Sequence, residues 1–389
     1  MEFSKRLDAF GAEIFSALND RKVSLEAEGR TVYNLSVGTP DFAPPTHIVN
    51  ALKASADCAA DWKYALRDLP ELQAAVSHYY ARRFGIDGIA PDQIASCNGS
   101  QEGMGHIAMT LCDAGDTMLL PNPCYPVFIA GATLAGAVPY YYPLTAETNF
   151  LPDVKTIPAE VAQKAKYMIV SLPANPVCSV GTKEMYAEVI AFAKQYDILI
   201  IHDNAYSDII FDGAVGNSFF ANEGASEVGV EFFSLSKSFN MTGARVSFLV
   251  GRSDVIAAFK KLRSQIDFGM FIPVQRAAIA ALEGELDFVK TQNSAYQARR
   301  DALCGGLRAI GWNVPDSKGS MFAWAPIPAG YENSMAFCMD LMEKSGVLIT
   351  PGASFGPGGE GYVRFALTLP PETLAMAVKA IADSGIFSK

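Results

Sequence analysis

Short apolar runs alternate with amphipathic segments through the first three quarters of the chain. The apolar runs are rich in Ile, Val, Leu and Phe, and they predict strands at Thr117–Leu120, Tyr167–Leu172, Ile198–His202, Val228–Ser234 and Val246–Gly251. Amphipathic segments lie between them, for example Lys183–Tyr196 and Asp254–Gln265. Strands that are apolar throughout and separated by helices indicate a mostly parallel sheet with helices on both faces. The pattern predicts an α/β fold.

The pattern changes after about residue 290. A long charged helix is expected over Gln292–Ile310, followed by short strands around Met321–Ala325 and Tyr362–Ala366 and by a final helix over Glu372–Asp383. This order indicates a smaller α+β domain at the C-terminal end. A helix over Arg6–Gly29 is expected to pack on it.

The length of 389 residues, of which 50% are hydrophobic, predicts two domains with large cores. We place an N-terminal segment that packs with the small domain at residues 1–45. The large domain is expected at 46–290 and the small domain at 291–389.

Composition disfavours several classes of function. A formal net charge of −10 and a pI near 5.0 argue against nucleic acid as a partner. No apolar run is long enough to span a bilayer and the first residues do not form a leader, so no membrane association is expected. The seven cysteines form no CxxC pair, which favours free thiols in a reducing cytoplasm. Four histidines without helical spacing argue against a metal site.

Lys237 has the most specific surroundings in the chain, in the segment Ser234-Leu-Ser-Lys-Ser-Phe-Asn-Met-Thr-Gly-Ala-Arg245. It follows a predicted buried strand, where desolvation of the ammonium lowers its pKa and makes the amine a nucleophile. The nearby serine hydroxyls and Arg245 can chelate a phosphate. An amine beside a phosphate cradle is what an enzyme needs to hold the aldehyde of pyridoxal phosphate (PLP). A solvated loop lysine after a core strand is the alternative.

Asp203 is a second candidate, at the carboxyl end of the predicted strand Ile198–His202. Ligands bind at this end of parallel strands. A buried carboxylate is costly unless a cation faces it, and the protonated pyridine nitrogen of PLP is such a cation. Tyr206 follows three residues later, within reach of the phenolic oxygen of the ring. A helix N-cap aspartate is the alternative interpretation.

Two further segments fit an anionic cofactor with an aromatic ring. Gly99 and Ser100 stand at a predicted helix start, whose N–H groups and dipole attract anions, although an ordinary N-cap serine is the commoner explanation of such a segment alone. Tyr125 is held between Pro123 and Pro126 as a rigid plate for ring stacking. A core aromatic in a tight turn explains that segment equally well.

Seven segments together carry a resemblance to a known family. They are Asn34-Leu-Ser-Val-Gly-Thr-Pro-Asp-Phe42, Asn98-Gly-Ser-Gln-Glu-Gly103, Pro123-Cys-Tyr-Pro126, Pro173-Ala-Asn-Pro176, Asp203-Asn-Ala-Tyr206, Ser234-Leu-Ser-Lys-Ser238 and Tyr362-Val-Arg-Phe365. Their order resembles that of class I and II aminotransferases, PLP enzymes of the aspartate-aminotransferase fold, over nearly the whole chain. The resemblance implies fold type I: an α/β domain with a mostly parallel seven-stranded sheet between helices, plus a smaller α+β domain.

The resemblance also implies the catalytic roles. Lys237 would hold the PLP aldehyde as a Schiff base and then shuttle a proton between the substrate α-carbon and the cofactor. Asp203 would pair with the ring nitrogen, and Asn175 and Tyr206 would bind the phenolic oxygen. Tyr125 would stack on the ring. A plain Asn-Pro turn is the alternative for the segment that contains Asn175.

Phosphate and substrate contacts follow from the same resemblance. The phosphate would be held by Gly99, Ser100, Gln101, Ser234, Ser236 and Arg245. Arg364 would grip the substrate α-carboxylate with two parallel hydrogen bonds, which lysine cannot do, and Gly38 and Asn175 would lie beside it. An arginine at the edge of a strand, on the surface, is the alternative. Tyr64 resembles the tyrosine that reaches the phosphate of the neighbouring subunit, which implies a homodimer with shared active sites.

The expected reaction moves the amino group of an L-amino acid to a 2-oxoacid, 2-oxoglutarate or pyruvate, by a ping-pong mechanism. A PLP lyase that eliminates from C-β or cleaves C–S bonds uses the same residues and stays the alternative. A PLP-binding regulatory module is disfavoured, because the chain leaves no room for an attached DNA-binding domain.

Three segments, Lys166–Pro173, Phe192–Asp203 and Val230–Gly243, resemble the branch of LL-diaminopimelate and bacterial glutamate–pyruvate aminotransferases. The chain departs from it at Gln101, where lysine is usual, and at Ala244, Ser247 and Val177-Cys178. The donor is therefore left open among alanine, LL-diaminopimelate and aromatic or aliphatic amino acids. Aspartate is disfavoured, because residues 266–275 contain no arginine for a second carboxylate.

Overall fold

The computed structural model describes residues 1–10 and 14–387. In this part of the chain the strands are β1 Tyr33–Asn34, β2 Ile94–Cys97, β3 Thr117–Asn122, β4 Val138–Pro143, β5 Ala165–Ser171, β6 Leu199–Asn204, β7 Gly229–Ser234, β8 Ser247–Gly251, β9 Phe322–Pro326, β10 Val347–Leu348, β11 Thr350–Pro351 and β12 Tyr362–Ala366. The helices are α1 Ile14–Ala27, α2 Thr46–Ala56, α3 Pro70–Phe84, α4 Ser100–Leu111, α5 Pro126–Ala135, α6 Ala159–Ala162, α7 Lys183–Tyr196, α8 Ala225–Val228, α9 Leu235–Ser238, α10 Ser253–Arg263, α11 Ile272–Glu283, α12 Asp287–Ala309, α13 Ser334–Ser345 and α14 Pro371–Asp383.

The largest sheet of the described residues has seven strands in the order β2-β8-β7-β6-β5-β3-β4. β8 is antiparallel to β2 and to β7, and the other neighbours are parallel, which confirms the mostly parallel sheet. Both faces are covered: Ile200 packs in one apolar cluster and its neighbour Ile201 in another. This is why the strands are apolar at successive positions.

Two strands of this sheet have no counterpart among the five predicted strands of its region. β4 contains two prolines and lies at the sheet edge, where the missing N–H groups of proline are tolerated. It is half-exposed and so lacks the apolar run that marks the central strands. β2 is fully buried but only four residues long.

The C-terminal part of the chain forms a second unit of strands and helices. β11, β12 and β9 make an antiparallel sheet, and α12 and α14 pack against each other. The predicted strands and the final helix are present within one or two residues, while α12 begins earlier than expected, at Asp287. The division of the chain at residues 45 and 290 stays a prediction.

The predicted N-terminal helix over Arg6–Gly29 is wrong in its first part. Lys5–Ala9 forms a short 3₁₀ helix that ends at Phe10 in an extended conformation, and residues 11–13 of the prediction lie outside the described residues. The following segment contacts the C-terminal unit: β1 pairs with β10, and Arg21 forms an ion pair with Glu343. In the described part of the chain, the longest apolar stretch of any helix falls short of what a membrane crossing needs.

A buried polar cluster lies between the central strands and their covering helices. Glu231 on β7 is inaccessible to solvent and accepts hydrogen bonds from the Tyr80 and Ser218 hydroxyls, both at 2.8 Å, and from the Phe219 N–H at 2.7 Å. The two hydroxyls bind Oε1, whereas Oε2 accepts the Phe219 N–H and lies 2.9 Å from Nδ1 of His202. One carboxylate thus binds polar groups from three separate segments: α3, β6 and residues 218–219.

Replacing Glu231 with alanine should lower the free energy of unfolding by about 3–5 kcal/mol, because several buried partners lose their acceptor at once. Chemical denaturation followed by circular dichroism would measure the loss. Glu188→Ala, which breaks a surface ion pair with Lys155, is the control and should change little. Equal midpoints for the two variants would contradict this interpretation of the cluster.

Candidate active site

Polar residues lie at the carboxyl ends of the parallel strands, along one edge of the large sheet. Ser171, Asp203 and Ser234 stand at or next to the carboxyl ends of β5, β6 and β7, where ligands bind in such sheets. A cavity of about 410 Å³ opens there, within the usual size range of small-molecule sites. Its lining includes most of the residues predicted from the sequence: Gly38, Ser100, Gln101, Tyr125, Asn175, Asp203, Tyr206, Ser234, Ser236, Lys237, Arg245 and Arg364.

Lys237 lies in the short helix α9, directly after β7, so the solvated-loop alternative is wrong. Its Nζ donates a hydrogen bond of 2.5 Å to the carbonyl oxygen of Gly38. Burial, and then the positive charges of Arg364 and Arg245, lower the pKa of Lys237 to about 8. A lysine with this pKa carries a free amine in a useful fraction of molecules near neutral pH, which an ordinary surface lysine does not.

Asp203 lies within β6, and no helix begins immediately after it, so it is not a helix N-cap. Burial raises the pKa of Asp203 to about 6, although the Ser171 hydroxyl donates to its Oδ2 at 3.1 Å and acts in the opposite direction. Within the described residues no basic side chain pairs with this carboxylate. A buried acid of this kind fits a cationic group of a ligand.

The turn between β2 and α4 forms one wall of the cavity. Gly99 has φ of +87° and is the N-cap of α4, so Ser100 is the first helical residue and not the N-cap. A Cβ on Gly99 would lie 2.2 Å from Nη2 of Arg245, so only glycine allows this contact. The Ser100 hydroxyl is buried without a hydrogen-bond partner. Ser234 and Ser236, which are also buried, line the same cavity.

Arg364 on β12 is 6% exposed, so it is not a surface arginine. Its Nη1 donates to Oδ1 of Asn175 at 2.8 Å and its Nη2 to the carbonyl oxygen of Ser36 at 2.9 Å, whereas its Nε has no partner. The guanidinium lies 4.0 Å from the ring centre of Phe322. Burial lowers the pKa of Arg364 to about 10. A desolvated guanidinium without a carboxylate partner in the described residues fits an anionic ligand.

Two tyrosines complete the cavity wall. Tyr125 is the residue before Pro126 at the start of α5, and its hydroxyl donates to Oε1 of Gln101 at 3.3 Å. It therefore lines the cavity and is not only a core aromatic. Tyr206 is buried, which raises its pKa well above the usual range, so its hydroxyl stays protonated and can donate a hydrogen bond.

Tyr64 is not at this cavity. Its side chain is 81% exposed, and its ring packs 5.2 Å from that of Phe268 on the surface. The described single chain therefore brings together the predicted residues except this one, and the role of Tyr64 stays a prediction.

Two residues that contact the predicted site residues were not predicted from the sequence. Ser171 is directly opposite Asp203 in the β5–β6 register, so a hydroxyl at the end of a predicted neighbouring strand was an available signal. Phe322 supports both Arg364 and Gly38, and a Cβ on Gly38 would lie 2.4 Å from its ring. No local signal marked it, because it comes from the separate C-terminal sheet. The described residues contain no group of three or more potential metal ligands.

The cavity thus combines an amine of lowered pKa, a buried acid without a basic partner, a buried serine hydroxyl without a hydrogen-bond partner and a buried guanidinium. A family model described as aminotransferase class I and II matches residues 30–381. The chain belongs to this family and is an aminotransferase of fold type I.

Curated relatives and solved structures agree with this assignment. LL-diaminopimelate aminotransferases of Desulforudis audaxviator and Dehalococcoides mccartyi are 40% and 39% identical to the chain, covering 97% and 98% of it and 96% and 99% of the relatives. The substrate-bound BacF structure from Bacillus subtilis has a TM-score of 0.93 at 35% identity, covering 98% of both chains. A probable N-succinyldiaminopimelate aminotransferase from Thermus thermophilus has a TM-score of 0.91 at 30% identity, covering 96% of this chain and all of the other. The lyase alternative gains no support from these relatives.

Replacing Asp203 with asparagine should stabilise the cofactor-free protein at pH 8. The folded-state pKa of about 6 lies above the ordinary value of 3.8, so stability falls as pH rises between these values and stays low above them. The gain in the free energy of unfolding should be about 3 kcal/mol at pH 8 and fall below about 1 kcal/mol near pH 4.

Urea denaturation at both pH values would measure this difference. Asp287→Asn, at an exposed position, is the control and should show no such pH dependence. A variant that is destabilised at pH 8 would contradict the view that the buried carboxylate lacks a partner.

Proposed function

We propose that the chain binds PLP in this cavity and transfers the amino group of an L-amino acid to 2-oxoglutarate or pyruvate. The observation that carries the proposal is the placement of Lys237, with its pKa lowered to about 8, beside an unpaired acid and an anion cradle in one cavity. A second observation supports PLP as the ligand. The buried Ser100 hydroxyl has no hydrogen-bond partner, and Arg245 lies against the neighbouring Gly99, so both could bind the phosphate.

Each charged residue then has a defined task. Asp203 holds a proton on the ring nitrogen, because an ionised carboxylate and a pyridinium stabilise each other when both are buried. Tyr206 and Asn175 donate hydrogen bonds to the phenolic oxygen, and Tyr125 provides a flat aromatic surface. Ser100, Ser234, Ser236 and Arg245 hold the phosphate, with Gly99 and Gln101 beside them.

Lys237 and Arg364 act on the substrate. Bound PLP supplies an aldehyde that takes up the amino group and a ring that stores the electron pair left at the α-carbon. Arg364 binds the α-carboxylate and so fixes the α-carbon in the cavity. Lys237 Nζ lies on the same side of the cavity as Gly38, and its lowered pKa allows it to accept the α-proton and return it.

Several amino acids are proposed as the amino donor. The curated relatives act, by their names, on LL-diaminopimelate, which makes it one candidate beside alanine and aromatic or aliphatic amino acids. We further propose that the protein works in the cytoplasm, a reducing compartment in which thiols stay free. No disulfide links the described cysteines. Burial raises the pKa of several of these thiols, for example that of Cys124 to about 12.

Replacing Lys237 with alanine should lower transamination by about a thousandfold or more, because the group that moves the α-proton is lost. A panel of amino acids with 2-oxoglutarate and pyruvate, assayed for new amino acid and for ammonia, would measure it. Borohydride reduction of the native enzyme and peptide mapping should label Lys237.

Lys260→Ala is a matched control, since burial also lowers the pKa of Lys260 but it lies away from the cavity. A label on another lysine, or release of ammonia instead of amino transfer, would overturn the proposal.

An exposed aromatic surface supports the proposed homodimer. Trp62, Tyr64, Phe268 and Phe271 are exposed and pack pairwise, with ring centres 5.2 Å apart in each pair. Contiguous apolar surface of this kind is typical of protein interfaces. We place a second copy of the chain there, with each Tyr64 near the phosphate cradle of its partner.

Mixing Tyr64→Phe and Lys237→Ala enzymes should restore activity. In the mixed dimer both lesions then fall in one site and the other site is intact, giving up to about a quarter of wild-type activity after random exchange. Activity after subunit exchange, compared with the unmixed variants, measures this. No recovery despite verified exchange, with both variants impaired alone, would place Tyr64 in the site of its own chain.

A further inference from the structure

Glu102 follows the phosphate-binding turn but does not line the cavity. Its Oε2 accepts a hydrogen bond of 3.1 Å from the backbone N–H of Asn98, the residue before Gly99. Its Oε1 lies 3.2 Å from Nε of Arg263 and 2.6 Å from Nδ1 of His106. A carboxylate in the first turn of α4 therefore binds the backbone of the turn that precedes this helix, without lining the cavity.

Arg263 connects this carboxylate to a second one. Its guanidinium is 6% exposed and binds Asp267 through Nε at 3.1 Å and Nη2 at 2.9 Å, and it also donates to the carbonyl oxygen of Ser96. Burial disfavours its charge, yet these carboxylates raise the pKa of Arg263 above its usual value. Asp267 in turn accepts a hydrogen bond of 2.9 Å from the side-chain amide of Asn98.

Asn98 is thus fixed twice, through its backbone by Glu102 and through its side chain by Asp267. The strand end before it is held as well, since Asp68 accepts hydrogen bonds from the N–H of Ser96 at 2.9 Å and from its hydroxyl at 2.5 Å. Neither Glu102 nor Asp267 lines the cavity, and a carboxylate close to a phosphate repels it unless a cation compensates. Arg263 is that cation.

We propose that Glu102, through Asn98 and with Arg263 and Asp267, positions the turn Asn98–Ser100 for the cofactor phosphate. Glu102 is a positioning residue: it acts through the backbone of Asn98 and touches no ligand. The inference rests on the proposed function, because it needs the phosphate of PLP to bind at Ser100 and Arg245. It adds to that function a residue which determines how strongly the phosphate, as distinct from the ring, contributes to binding.

The test compares PLP with pyridoxal, which has the ring and aldehyde but no phosphate. Glu102→Ala in the full chain should weaken PLP binding by about tenfold, the effect of losing one charge-assisted hydrogen bond, and leave pyridoxal binding unchanged. Inorganic phosphate should compete less well in the variant. Titrations followed by absorbance measure the three dissociation constants. Glu102→Gln keeps an acceptor for the Asn98 N–H and should restore PLP affinity to within about threefold of wild type.

Glu184→Ala is the matched control, because Glu184 also occupies the first turn of a helix, α7, and does not line the cavity. If Glu102→Ala does not fold, Asn98→Ala, which removes the side-chain contact with Asp267, should show the same selective loss for PLP. Equal weakening of PLP and pyridoxal, or no weakening of either, overturns the inference. Wild-type protein that binds PLP no better than pyridoxal would instead overturn the proposed phosphate cradle.

Discussion

Desolvation of charge in one cavity is the constraint on which the rest of the site depends. Among the described lining residues, Lys237, Arg364 and Asp203 each have a pKa displaced toward the neutral form, and burial is the leading cause in all three. The fold therefore holds charged groups where each is unfavourable by itself. The proposed cofactor and substrate, with a cationic ring nitrogen, a phosphate and a carboxylate, would offset these unfavourable charges, so binding and catalysis would depend on the same buried groups.

The surrounding structure explains how this imbalance is maintained. Asp203 lies in β6, which is buried along its whole length, and the neighbouring His202 on the opposite face of the strand is held by Glu231. The aromatic ring of Phe322 packs against the guanidinium of Arg364 and contributes to its burial. The buried carboxylate of Glu231 has several hydrogen-bond donors, whereas Asp203 has no basic partner in the described residues, and this contrast separates the scaffold from the site.

Much of this architecture could be predicted from the sequence, and the exceptions have physical reasons. Central strands such as β5 and β6 are apolar throughout because both faces are covered, and the residues at their carboxyl ends follow from that placement. β4 was missed because an edge strand with prolines carries no such pattern. Phe322 and Glu102 were missed as site residues because their roles depend on contacts with Arg364 and Arg263, which are distant in the sequence. Tyr64 was expected at the phosphate only by resemblance, and a single chain leaves it on the surface.

The antiparallel strand β8 has a consequence for the geometry of the proposed phosphate cradle. Because β8 is antiparallel to both β2 and β7, these two strands run in the same direction, and Cys97 and Ser234 both pair with Ser247 between them. The turns that follow these two strands therefore start at one level of the sheet, two strand spacings or roughly 9–10 Å apart. The width of the cradle is thus set by backbone hydrogen bonds and not by flexible loops. Side-chain substitutions can change which anion binds there, but the distance between the two turns is set by the sheet.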